Sequence, residues 1–413
     1  MWLMPPSVSA FLFARKVVSK MKINVNENYK RIKESYLFSE IANRVNAYVQ
    51  ANPGKEVIRL GIGDVTLPLA PVVVDAMMRA AGEMGKEETF RGYPPESGHE
   101  FLKSAVKAHY KADIKPSEIF ISDGAKSDIG NIVDILGENN VVIPNPVYPI
   151  YVDSNLMNGN GITFISGNKE NGFLPMPNQI KNNEPAVIYI CSPNNPTGAV
   201  YNRAQLTEWV EHALNTGSLI IFDSAYEVFI TDDDIPHSIY EIDGAKECAI
   251  EVNSFSKFAG FTGTRCGWTI VPEDLKSADG TSLNKMWLRR QSTKFNGVSY
   301  PVQRAAEAAL SHEGINQCLK NIEYYRRNAK LIGDLLSKKR IYYTGGMNSP
   351  YIWMECPGNM SSWDFFDLLL NEAQIVGTPG EGFGLSGEGY FRITSFGTYE
   401  NTLKACERLS KIL

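Results

Sequence analysis

Five short apolar runs punctuate the middle of the chain: Glu118–Ser122, Val141–Pro144, Val187–Cys191, Leu219–Phe222 and Ala249–Val252. They are continuous rather than alternating, as expected of strands buried on both faces. Stretches with helical spacing lie between them, such as Ile129, Ile132, Val133 and Leu136. Strand–helix alternation implies crossover connections and a largely parallel sheet, so the fold class is α/β. Upstream, Phe38, Ile41, Val45 and Tyr48 predict one amphipathic helix over Tyr36–Val49. After Pro301 the texture changes. Long helical patterns (Val302–Leu310, Asn316–Leu336, Trp363–Glu372) alternate there with strands at Tyr351–Met354 and Tyr390–Ser395. The 413 residues exceed one compact core. The division expected is a large domain over residues 63–300 and a smaller α+β domain over 301–413, completed by an N-terminal arm and helix over 21–62. Residues 1–20 read as a disordered extension with Met21 the true start. Their apolar part is broken by Pro5-Pro6 and precedes its positive charges, the reverse of a secretory signal.

Composition narrows the classes. Hydrophobic residues make up 43% and charged residues 21%, ordinary for a soluble protein. The net charge is −5 and no Lys/Arg stripe forms, so nucleic acid is not an expected partner. No apolar stretch is long enough to span a membrane. The six cysteines are scattered without a C-x-x-C pair, which fits reduced, buried thiols in a cytoplasm. The five histidines form no metal-ligand pair, and no metal is expected.

Polar residues gather immediately after the apolar runs. In open α/β sheets, ligands bind outside the carboxyl ends of the strands, so these turns would face one site. After the first run, Asp123-Gly124-Ala125-Lys126 leads into a helix, where free amides and a lysine suit a phosphate; ordinary helix capping would use the same residues. After the second, Tyr148 could stack on a flat ligand or simply be core. After the third, Ser192-Pro193-Asn194-Asn195-Pro196-Thr197-Gly198 forms a rigid turn that aims the Asn195 amide. After the fourth, Asp223 ends a buried strand, which is costly without a partner, and Tyr226 follows. After the fifth come Ser254, Ser256, Lys257 and Arg265 among glycines. Hydroxyls and an Arg fork suit a phosphate dianion, and a neighbouring Lys suits imine formation with an aldehyde. Gly382–Gly387 matches G-x-G-x-x-G, but it leads into a strand rather than a helix, so it reads as a plain glycine-rich loop.

Asn195-Pro196-x-Gly198, Asp223-x-x-Tyr226 and Ser254-x-Ser256-Lys257 with Arg265 together resemble the fold-type I, pyridoxal-phosphate-dependent class I/II aminotransferases, from about Tyr36 to the C-terminus. Arg91-Gly92-Tyr93, Ser122–Lys126, Lys294–Gly297 and Ser386–Arg392 resemble the branch acting on LL-2,6-diaminopimelate. The resemblance implies a mostly parallel seven-stranded sheet, pyridoxal 5′-phosphate as cofactor and a homodimer with shared sites. It also implies amino-group exchange between LL-2,6-diaminopimelate and 2-oxoglutarate, giving tetrahydrodipicolinate and glutamate, on the route to lysine.

Residue by residue, it implies that Lys257 holds the cofactor covalently and shuttles a proton. Asp223 faces the ring nitrogen, Asn195 and Tyr226 the ring hydroxyl, and Tyr148 the ring face. Ala125, Lys126, Ser254, Ser256 and Arg265 would bind the phosphate, with Tyr93 of the partner subunit. Arg392 would grip the substrate α-carboxylate. Tyr36, Gly63 and Asn296, with Lys126, Tyr148 and Asn195, match substrate positions, and Glu96 is assigned across the dimer to the distal ammonium. Other readings on this scaffold are an aminotransferase for aromatic or acidic amino acids, a C–S lyase, or a cofactor-sensing transcriptional regulator; the last would need an added DNA-binding domain.

Overall fold

The computed structural model describes residues 23–32, 37–61 and 63–413. The expectations for residues 1–20, the Met21 start and Tyr36 lie outside the described residues. In chain order the strands are β1 (Ile58–Arg59), β2 (Ile119–Ser122), β3 (Asn140–Asn145), β4 (Gly161–Ser166), β5 (Ala186–Cys191), β6 (Leu219–Asp223) and β7 (Ala249–Ser254). They continue with β8 (Gly267–Ile270), β9 (Tyr343–Gly345), β10 (Tyr351–Glu355), β11 (Ile375–Val376), β12 (Thr378–Pro379) and β13 (Tyr390–Thr394).

Seven of them form one sheet in the order β2-β8-β7-β6-β5-β3-β4, in which β8 alone runs against its neighbours. All five apolar runs are strands of this sheet. Successive residues go to opposite faces: Val142, Ile188, Ile220 and Phe222 enter one core with Leu206 and Trp209. Val141, Val187, Ile221 and Ile250 enter the other with Ile129, Ile132 and Trp287. Two-sided burial is why these runs do not alternate. The two strands outside the five runs have physical reasons to be inconspicuous. Strand β4 is an edge with mostly exposed or half-buried side chains, and β8 is four residues opening on a glycine.

Helices cover the sheet and continue beyond it: α1 (Leu37–Ala51), α2 (Pro71–Met84), α3 (Glu100–His109), α4 (Ala125–Ile132), α5 (Pro149–Met157) and α6 (Arg203–Thr216). Then follow α7 (Phe255–Phe258), α8 (Leu283–Lys294), α9 (Tyr300–Ala309), α10 (His312–Lys339), α11 (Ser362–Leu368) and α12 (Tyr399–Ile412). Helix α10 outruns its apolar pattern at both ends. Ser311 caps it, its side chain accepting from the Gly314 N–H, and Arg340 turns left-handed to close it. The pattern over Trp363–Glu372 is α11 followed by a π-helical turn at Leu369–Ala373.

The C-terminal part forms a four-stranded antiparallel sheet, β12-β13-β10-β9, and its β11 pairs in parallel with β1 from the N-terminal segment. Their own core joins Ile41 and Val45 of α1 to Ile332, Ile352, Phe365 and Leu409. Helix α9 and the first half of α10, through Ala305, Cys318 and Ile322, belong instead to the core of the large sheet. The glycine-rich stretch forms two 3₁₀ turns leading into β13, with no helix after it. All six cysteines are unpaired and five are buried. Among the described residues, no helix is long and apolar enough to cross a membrane.

Candidate active site

A cavity of about 550 Å³ opens at the carboxyl ends of β2, β3, β5, β6 and β7, a volume suited to a small ligand. All five strand-end turns reach it: Ala125 and Lys126, then Tyr148, Asn195, Asp223 with Tyr226, and Ser254, Ser256, Lys257 and Arg265. Gly63 and Arg392 enter its wall from segments before and after the large sheet.

One end of the cavity is built for an anion. The Ser254 side chain caps α7, accepting from the Ser256 N–H, and donates to the Ser256 hydroxyl at 2.9 Å. The Arg265 guanidinium donates to that same Ser256 hydroxyl at 3.2 Å. Across from it, α4 begins at Ala125 after Gly124, whose φ of +132° a side chain would rarely adopt. A Cβ on Gly124 would stand 2.4 Å from the Arg265 guanidinium, so glycine lets the cation lie against the helix entrance. A guanidinium, two hydroxyls and a helix N-terminus with Lys126 beside it converge there.

Lys257 sits at the centre. Its ammonium donates to the Gly63 carbonyl, and the side chain is almost wholly buried. Burial lowers its pKa to about 8, the Arg392 and Arg265 charges acting in the same direction and Asp64 opposing them. An amine so tuned has a far larger neutral, nucleophilic fraction near neutral pH than an exposed lysine. Deeper in, Asp223 ends β6 with 7% of its surface exposed. Its Oδ2 accepts from the Tyr151 hydroxyl at 2.7 Å and its Oδ1 from the Ala225 N–H at 3.0 Å. Burial raises its pKa, and these two bonds oppose the rise. Two hydrogen bonds rather than a cation hold this carboxylate, which is how its burial is tolerated.

At the opposite end, Arg392 of β13 is 1% exposed. Its guanidinium donates to Asn195 Oδ1 at 2.6 Å and to the Gly61 carbonyl at 2.7 Å. Arginine has only donors, so Asn195 must present its oxygen to it and turn its NH₂ elsewhere. The turn that aims Asn195 is itself braced, with Asn194 N donating to the Ala199 carbonyl and the Asn194 amide to the Thr197 hydroxyl. The Tyr226 hydroxyl meets that of Tyr351 at 2.6 Å. Lys126 lies over the Tyr148 ring, 5.8 Å from its centroid.

Three predicted residues lie outside this cavity wall. Tyr93 is 89% exposed, and Glu96 and Asn296 are exposed as well. The segments that carry them meet, a Cβ on Gly297 standing 2.8 Å from Pro94. Sequence reasoning passed over Tyr151, Tyr351 and Asp64, all three of which touch the site or its charges. Tyr151 was open to discovery: it follows Tyr148 by three, one turn into the helix Pro149 opens. Tyr351 carried no such signal, since its partner Tyr226 is 125 residues away.

A strand-end lysine, a buried carboxylate and an anion cradle meet on this sheet, and residues 55–409 match the model of aminotransferase class I and II. The chain belongs to that family. It is 51% identical over 405 residues to an LL-diaminopimelate aminotransferase of Lachnospira eligens, covering 94% of this chain and 99% of the relative. A second, from Agathobacter rectalis, is also 51% identical, over 406 residues and the same shares of the two chains. Among solved structures, the L,L-diaminopimelate aminotransferase of Chlamydomonas reinhardtii superposes with a TM-score of 0.90 at 41% identity, covering 95% of this chain and 99% of that one.

Proposed function

We propose that this chain is a pyridoxal-phosphate-dependent aminotransferase that interconverts LL-2,6-diaminopimelate and 2-oxoglutarate with tetrahydrodipicolinate, glutamate and water. The observation that carries the reading is the single cavity where a lysine of depressed pKa lies between an anion cradle and a buried carboxylate. The substrate is carried over from the two relatives at 51% identity. Structural neighbours that handle aspartate stand at 20% identity and speak for the fold alone.

The residues fit the cofactor. Ser254, Ser256, Arg265, Lys126 and the Ala125 backbone would hold its phosphate. Asp223 keeps an oxygen-only face toward the cavity, and its negative charge would hold a proton at the ring nitrogen. With its oxygen committed to Arg392, Asn195 has N–H donors for the ring oxygen, which Tyr226 would also reach. Tyr148 would lie against the ring. When bound, pyridoxal phosphate supplies an aldehyde carbon for Lys257 and an electron sink that makes the substrate Cα–H acidic.

Lys257 Nζ then takes and returns the Cα proton. Burial favours its neutral form and thereby makes it a competent base near neutral pH. Arg392 would bind the α-carboxylate with its fork already oriented by Asn195 and the Gly61 carbonyl, which fixes the Cα–H bond relative to Lys257. Tyr36 and Gly63 would complete the substrate site. We read Tyr93, Glu96 and Asn296 as contributions to the partner's site in a homodimer, a reading supported by their exposure as one group. A large unit of residues 63–300, against which α9 and the first half of α10 pack, a smaller one of 301–413 with 21–62, and a cytoplasmic location belong to the same proposal.

The experiment is to mix the purified, cofactor-loaded protein with LL-2,6-diaminopimelate and 2-oxoglutarate and to measure glutamate. The expected outcome is glutamate formation by the native chain, with neither turnover nor the absorption band of the lysine-bound cofactor in Lys257→Ala. Absence of glutamate from the native chain would refute the substrate, and turnover retained in Lys257→Ala would refute the mechanism.

A further inference from the structure

We propose that Tyr351 is a positioning residue: it fixes the direction in which Tyr226 donates its proton and holds the plane of the Arg392 guanidinium. This rests on the aminotransferase reading above and deepens it.

Tyr351 opens β10, which pairs with β13, the strand that carries Arg392. It is 1% exposed. Its hydroxyl lies 2.6 Å from that of Tyr226, a separation at which a single hydrogen is shared. Burial pushes its pKa up to about 12 and pushes that of Tyr226 up as well, so both phenols are protonated at neutral pH. Each phenol carries one hydrogen and can donate once. If Tyr226 gives its hydrogen to a ligand oxygen in the cavity, the one between the two rings must come from Tyr351.

The surroundings of the Tyr351 hydroxyl leave it that role. A Cβ on Gly63 would stand 2.6 Å from it, so glycine makes room for the hydroxyl there, and the Gly63 carbonyl is already taken by Lys257. A buried hydroxyl without a partner is costly, and phenylalanine would fill the same core without that cost. The ring does a second thing: the Arg392 guanidinium carbon lies 4.6 Å from its centroid, a cation–π contact. Tyr351 therefore touches the residue for the ring oxygen and the residue for the substrate carboxylate, one through its hydroxyl and one through its ring face.

Donation from Tyr351 makes Tyr226 a stronger donor in turn, since chained hydrogen bonds strengthen one another by roughly 10–30% per bond. A donor at the cofactor's ring oxygen disfavours the proton on the neighbouring Lys257 nitrogen. Weakening that donor therefore raises the pH at which the visible absorption of the loaded protein changes.

The test is a pH titration of that absorption in native protein, Tyr351→Phe and Tyr226→Phe, with KM measured for the amino substrate and folding checked by thermal melting. Tyr351→Phe keeps the ring and should shift the midpoint upward by about 10–30% of the shift in Tyr226→Phe, with KM changed less than about twofold. Tyr351→Leu, which also loses the ring, should in addition raise KM about three- to tenfold. A midpoint unmoved in Tyr351→Phe while Tyr226→Phe moves it would overturn the proposal, as would a large rise in KM from loss of the hydroxyl alone. No movement in either variant would overturn the assignment of Tyr226 to the ring oxygen, and this proposal with it.

Discussion

At the scale of single residues, the chemistry turns on how burial retunes ordinary side chains. Lys257 loses part of its proton affinity because its ammonium leaves water, and Asp64 partly restores it. The reactivity of Lys257 in the cofactor-free protein should therefore rise through a midpoint near pH 8, readable by amine-selective labelling and mass spectrometry of its peptide. Asp64→Asn removes the group that opposes the shift, so the midpoint should fall further; an unchanged or higher midpoint would show that Asp64 does not act on Lys257. Lys257, Asp223, Asn195 and Arg265 stood out in the sequence because each lies in a polar cluster that closes or follows an apolar run. Tyr351 was not, because an apolar strand with an aromatic residue looks the same whether its hydroxyl is used or not.

At the scale of elements, the end of β6 and the turn after it carry Asp223 and Tyr226, and the next residue anchors them. Glu227 is buried, with Oε2 2.6 Å from His237 Nδ1 and Oε1 3.2 Å from His109 Nε2 at the end of α3. Burial alone would raise the carboxyl pKa, but the hydrogen bonds from the two imidazoles outweigh it and hold Glu227 near about 2. Burial would likewise lower the pKa of His109, and Glu227 overrides it to raise it. The linkage signs are opposite. The Glu227 contribution is present above its unfolded value of 4.5 and is lost as pH falls toward 2, amounting to something on the order of 3 kcal/mol. The His109 contribution is full below pH 6.5 and fades as pH rises through its raised folded value. Glu227→Gln should therefore take up about one proton fewer on acid unfolding, flattening the stability profile between pH 4.5 and 2. A profile parallel to that of the native chain would show that the bracket contributes nothing. None of this was visible in the sequence, where His109 and His237 are lone residues far apart.

At the scale of the whole molecule, the exposed group Tyr93, Glu96 and Asn296 bears on assembly. If those residues complete the site of a second copy, a chain carrying Lys257→Ala and a chain carrying Tyr93→Ala should each be nearly inactive. Refolded together they should regain about a quarter of native activity, because half of a statistical mixture is hybrid and each hybrid has one intact site. No recovery would mean that each chain completes its own site. The measurement is turnover after co-refolding, normalised to hybrids separated by affinity tags.

The sequence by itself determined five of the seven strands of the large sheet and the polar turns that follow them. Continuous apolar runs have few alternatives to two-sided burial, and polar turns after such strands all emerge on one side of a parallel sheet. It also carried the long C-terminal helices, whose periodicity persists over many turns. The edge strand β4 and the reversed strand β8 came only from the tertiary structure, because little in their own residues demands a strand and their neighbours supply the pairing. The same holds for Arg392 against Asn195 and for Tyr226 against Tyr351, 197 and 125 residues apart. Such pairs are chosen by where the two sheets meet, a quantity that no local pattern of hydrophobic and polar residues encodes.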